Sequence, residues 1–132
     1  MTITPVYAGI VALLFVLLSF RVIGARRHVK VPLGDGGDRL LLRRLRVHGN
    51  FAEYAPMAIV LMALGELQGI SVLVLHAIGL CLLGGRLVHA YGVSQEPENY
   101  RLRVTGMALT FSALIMGALA NLGLGLLVFS GS

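Results

Sequence analysis

Charge is what this sequence has least of. Only 13% of its 132 residues are Asp, Glu, Lys or Arg, about half of the roughly 25% carried by a soluble domain. With 57% hydrophobic residues and a mean hydropathy of +0.85, the chain is neither disordered nor collagen-like, nor an ordinary water-soluble globule. The net charge of +5 is not spread over a surface, as nucleic-acid binding requires, so no nucleic-acid partner is expected. Cysteine is reduced to Cys81 alone, which forms no intrachain disulfide and no metal site. A buried cysteine ordinarily acts as a small apolar residue. The histidines show no HExxH spacing, and CxxC is absent, so no metal is expected. A phosphate loop and a GxSxG elbow are missing as well.

What is present is apolar length. Four runs, residues 3–23, 47–70, 71–91 and 104–129, each approach or exceed the ~20 residues that a membrane-crossing helix needs. They do not alternate as porin strands do. The reading is an all-α integral membrane protein, one four-helix bundle over residues 1–132. The first run is too long for a signal-peptide core and lacks a basic n-region, so it is expected to stay. Thr4 before Pro5 reads as its N-cap and first turn. Eight of the eleven basic residues lie in or beside the first connection, and Arg86, Arg101 and Arg103 flank the third. The positive-inside rule then puts both termini outside, with those two connections in the cytoplasm.

The second run carries the polar signal. At 100° per residue, Arg39, Arg43, Arg46, Asn50 and Glu53 fall within an arc of about 80°. An ionisable side chain within a membrane helix faces a partner or a wet cavity. Two readings stay open: a polar pocket entered from the cytoplasm, or an interhelical hydrogen-bonded clasp. Glu66 is on the opposite face and reads as an interfacial anchor. His48 is also off the stripe, so it either serves a neighbouring subunit or bonds at an interface. Pro56 is expected to bend the helix. Arg86 and His89 lie on adjoining faces of the third helix, at the level of Arg46 and Arg103. Three arginines against the lone deep carboxylate of Glu53 call for an anionic ligand that also carries an ammonium or N–H donors, and a small peptide answers that description.

The stretch Arg46-Val-His-Gly-Asn50-Phe-Ala-Glu53-Tyr54-Ala-Pro56 resembles the second-helix signature of the MAPEG family, the membrane-associated proteins of eicosanoid and glutathione metabolism. Ala25-Arg26-Arg27, Gly85-Arg86-Leu-Val-His89 and Arg103-Val-Thr-Gly106 add to the likeness, which runs from about Ala25 to Gly106. It implies a homotrimer with glutathione held between subunits. Arg46, Asn50, Glu53 and Tyr54 match glutathione-holding positions, His48 a position that reaches glutathione in some members, and Arg26 a basic position offered by the adjacent subunit. Arg86 and His89 would complete the ligand shell, and Arg103 matches the arginine beside the thiol. The tyrosine common one turn after the His89 position is here Val93.

A free thiol has pKa about 8.5, so little is thiolate at neutral pH. Arg103, always protonated, would favour the anion without acting as a base. Glutathione would be a co-substrate, attacking a lipophilic electrophile or reducing a hydroperoxide from the bilayer. This makes the chain a glutathione transferase, with peroxidase activity as a further expectation, in a bacterial inner membrane. The alternative within the same fold is a non-catalytic scaffold that binds glutathione or lipid. A proton-coupled exporter of similar size would need a carboxylate in the first run, which contains none.

Overall fold

Three short polar side chains fix where three of the helices start. Asp38 accepts from the Leu41 N–H at 2.7 Å, Ser71 from Val74 at 3.4 Å and Asn99 from Leu102 at 3.2 Å. Each satisfies one of the orphan donors of a helix N-terminus. The structure, a computed structural model, describes residues 1–131. Its helices are α1 (Ile3–Val29), α2 (Arg39–Leu67), α3 (Val72–Ser94) and α4 (Tyr100–Ser130), with no strand among the described residues.

The start of α1 is made differently. Thr2 supplies no side-chain cap. Instead the Glu66 carboxylate, from the far end of α2, accepts from the backbone N–H groups of Thr2, Ile3 and Thr4. Negative charge at a helix N-terminus is favoured by the macrodipole. Glu66 is thus more than an interfacial anchor: it clasps α1 to α2. The cap expected at Thr4 is not formed, since the helix begins at Ile3.

The helices outrun their apolar stretches at the basic end, α1 reaching Val29 and α2 starting at Arg39. Hydropathy marks the edge of the hydrocarbon, whereas backbone hydrogen bonding continues into water. Between them, Arg26 donates to the carbonyls of Val31 and Gly34 and holds the loop closed. The bundle is apolar outside, with Leu13, Leu73 and Leu119 exposed, and its core includes Leu41, Met62, Leu75, Ile78 and Leu82. α1, α3 and α4 are long and apolar enough to span a membrane. α2 falls short of that standard because Asn50, Glu53 and Glu66 interrupt it, although it continues as helix through Pro56.

α3 and α4 pack backbone to backbone. A Cβ on Gly106 would come within 2.5 Å of the His89 nitrogen, and one on Gly85 within 2.8 Å of the Gly106 carbonyl. Small residues allow such approach between membrane helices. Here they draw Arg86 and His89 against α4.

Candidate functional site

The polar residues of α2, α3 and α4 form two connected layers at the basic end of the bundle. The inner layer centres on Arg86, which is 1% exposed. Its Nε and one terminal nitrogen donate to the Thr110 hydroxyl at 3.0 and 2.7 Å. Its other terminal nitrogen donates to Asn50 Oδ1 at 2.6 Å. The Thr110 hydroxyl in turn donates to the Gly106 carbonyl at 2.8 Å. The guanidinium also lies 5.8 Å from the centre of the Tyr54 ring, a cation–π distance. No carboxylate pairs with Arg86 among the described residues. Neutral dipoles and a ring face hold this charge.

The outer layer is open. A cavity of about 340 Å³ is lined by Arg39, Arg43, Arg46, Asn50, His89, Val93 and Arg103, together with Glu96 and Glu98. Both glutamates come from the α3–α4 connection. Glu96 meets Arg39 at 3.3 Å and Arg43 at 3.1 Å; Glu98 meets Arg43 at 3.6 Å and Arg103 at 2.8 Å. Four guanidinium groups therefore face two carboxylates, an excess of two positive charges. Hydrogen bonding from Arg43, then its charge and Arg39, holds the Glu96 carboxyl below the usual glutamate range. Arg46 forms no ion pair or hydrogen bond among the described residues and is the cavity's uncommitted cation.

Of the residues singled out in the sequence, Arg46, Asn50, His89 and Arg103 come together in this cavity, and Val93 lines it one turn beyond His89. Tyr54 packs edge-on against Phe111 behind it. Arg86 is in the inner layer, touching Asn50 and not lining this cavity. Glu53 is exposed on the side of α2, with no partner among the described residues. His48 bonds to Ser19 at 3.0 Å and stacks on Phe15, so within one chain it ties α2 to α1. Arg26 remains with its loop, away from the cavity. The clasp that the sequence suggested among Arg46, Asn50 and Glu53 is not formed among the described residues; Asn50 is instead clasped to Arg86 and Thr110, and the pocket opens beside it.

Glu96, Glu98 and Thr110 were not singled out. The glutamates had a signal, since they are the acids of the third connection and sit between basic residues. Thr110 had none, because a threonine inside an apolar run reveals a partner only once α3 is in place.

A four-helix membrane protein with a basic, interhelical cavity is the class this geometry defines. Sequence comparison narrows it. The family model described as the MAPEG family matches residues 4–123. Inner membrane protein YecN of Escherichia coli, matched in two strains, is 42% identical over 120 residues, which cover 91% of this chain and 90% of YecN. The chain belongs to the MAPEG family and is a multi-pass inner membrane protein.

Proposed function

We propose that this protein is a membrane-bound glutathione transferase that presents glutathione as its thiolate to lipophilic electrophiles, with hydroperoxide reduction as a second outlet. The observation that carries the reading is the cavity itself: an excess of arginine, the free Arg46 and the polar Asn50 and His89, between helices and next to the hydrocarbon. Glutathione supplies two carboxylates to such a site. Arg46 and Arg43 would take them, because Arg86 is committed to Asn50 and Thr110. Asn50, whose oxygen is held by Arg86, would offer its amide N–H to the peptide backbone. Arg103 would stand beside the sulfur and favour its anion. In the transfer step the thiolate forms an S–C bond, and the leaving group departs with its electron pair.

A homotrimer accounts for what one chain leaves open. Glu53 is an ionisable residue on the outside of a membrane helix, a costly position without a partner. A neighbouring subunit would cover it, bringing Arg26 and the Ser19–His48 pair toward the ligand, with Glu53 accepting from the glutathione amine. The site would open to the cytoplasm, where the positive-inside rule puts the basic end.

The test is the ultraviolet difference spectrum of detergent-purified protein titrated with glutathione near neutral pH. A thiolate band that disappears in Arg103→Ala supports the transferase. Binding without thiolate supports the second reading, a non-catalytic scaffold, which Val93 in place of the familial tyrosine favours. Absence of binding overturns the transferase and the glutathione-binding form of the scaffold.

A further inference from the structure

A second cavity, of about 270 Å³, lies between α1 and α3 and shares no lining residue with the first. Its wall is mostly apolar, built by Leu14, Leu17, Phe51 and Leu87 with the committed Arg86 reaching it from the inner layer, and Arg21, Tyr91 and Ser94 also line it. We propose that this groove binds an anionic membrane phospholipid, its phosphate on Arg21, with Arg44 adding its charge from behind the Arg21 backbone, and an acyl chain along the apolar wall. The inference does not rest on glutathione chemistry.

The basic end is built and unpaired. Arg21 donates to the Ser94 hydroxyl at 3.2 Å, and Arg44 donates to the Arg21 carbonyl at 2.9 Å. The Arg44 guanidinium is thereby held against the backbone of Arg21. The Arg44 Nε is buried and has no hydrogen-bond partner. The chain has six acidic residues, and none pairs with either arginine. Asp35 and Asp38 accept from backbone N–H groups at Gly37 and Leu41. Glu66 is at the start of α1, and Glu96 and Glu98 are on Arg39, Arg43 and Arg103. Glu53 is about 13 Å along α2 from Arg44. Two cations joined through the Arg21 carbonyl, one of them with an orphaned donor, have no counter-ion among the protein's described residues.

The groove says which anion. From Leu14 to Arg21 the apolar wall runs about 10 Å along α1, space that a free phosphate would leave empty and an acyl chain would fill. Tyr91 is 62% exposed beside the arginine, and such rings gather at the membrane–water boundary. All basic residues of the chain lie toward this end, the side that faces the anionic cytoplasmic leaflet.

The experiment uses the purified chain in phosphatidylcholine vesicles, with spin-labelled phosphatidylglycerol or spin-labelled phosphatidylcholine as probe. The electron spin resonance spectrum reports the motionally restricted fraction. Phosphatidylglycerol should be preferred, with each arginine contributing about fivefold. Arg21→Gln with Arg44→Gln should abolish the preference, and Arg27→Gln, an exposed charge near the same end, should leave it intact. Ala90→Phe, which fills the groove and keeps both arginines, should lower phosphatidylglycerol retention. An equal loss in Arg27→Gln would mean a diffuse basic surface and overturn the proposal. So would displacement by millimolar inorganic phosphate, which marks a free-anion site. If the double variant does not fold, unchanged retention in Ala90→Phe overturns it alone.

Discussion

Arg86 and Arg103 belong to the two layers of the same polar end, yet they are held in opposite ways. Arg86 is dry, locked by Asn50, Thr110 and the face of Tyr54, with no counter-charge. Arg103 is half exposed and leans on Glu98 in an ion pair that water can enter. A charge fixed by neutral dipoles has no partner to exchange and can only position its neighbours. A charge fixed by a mobile carboxylate can change partner, and that is what binding an anion requires. The dry arginine shapes the site, and in the proposed reaction the wet arginines would operate it.

The largest effect should follow from breaking the dry side. Arg86→Ala removes a fully buried side chain and frees Asn50, so unfolding in detergent should become easier by about 3 kcal/mol. Arg86→Lys sharpens the test: a single ammonium cannot reproduce the forked contact with Asn50 and Thr110, so most of the loss should remain. Stability unchanged in both variants would remove the contrast. Next comes the wet side. Arg103→Ala should lower turnover with glutathione by about 100-fold, the scale of losing one donor aimed at a developing anion. Its thermal midpoint should stay near that of the unaltered protein. Equal losses of turnover and binding would sink the thiolate role.

A smaller change should run the other way. Glu98 occupies Arg43 and Arg103 when no ligand is bound, so it competes with an incoming carboxylate. Glu98→Gln should therefore tighten glutathione binding by about two- to fivefold, the worth of an exposed ion pair. Weaker binding in a calorimetric titration would show that Glu98 helps to hold the ligand.

The two layers were not equally legible in the sequence. The stripe from Arg39 to Glu53 was plain because helical periodicity alone brings those residues to one face. Arg86 and Glu53 were placed in one pocket because both are charged and deep. The structure separates them, turning Arg86 inward to Asn50 and Thr110 and leaving Glu53 exposed on α2. Rotation of one helix against another is set by packing, here by Gly85 and Gly106 at the α3–α4 seam. Apolar length gave the number of helices but not their cytoplasmic ends, since caps such as Asp38 act in water beyond the hydrocarbon.

The smallest expected effect is also the one that separates the layers most cleanly, because only the outer layer contains groups that titrate in acid. The Glu96 carboxyl, held by Arg43 and Arg39, ionises below the usual glutamate value of 4.5. A carboxylate whose folded-state pKa is depressed contributes stability that is complete above its unfolded value and lost as pH falls through the folded one. The difference in thermal midpoint between the unaltered protein and Glu96→Gln should therefore be present at neutral pH. It should shrink below about 4.5 and vanish once Glu96 is protonated in the folded state. High salt should reduce it as well, since the pair is exposed. The corresponding difference for Arg86→Ala should hold across the same range, because Asn50 and Thr110 carry no titratable proton. A Glu96 difference that ignored both acid and salt would mean that the α3–α4 connection is fixed by packing, and that the cavity has no exchangeable counter-ions at its mouth.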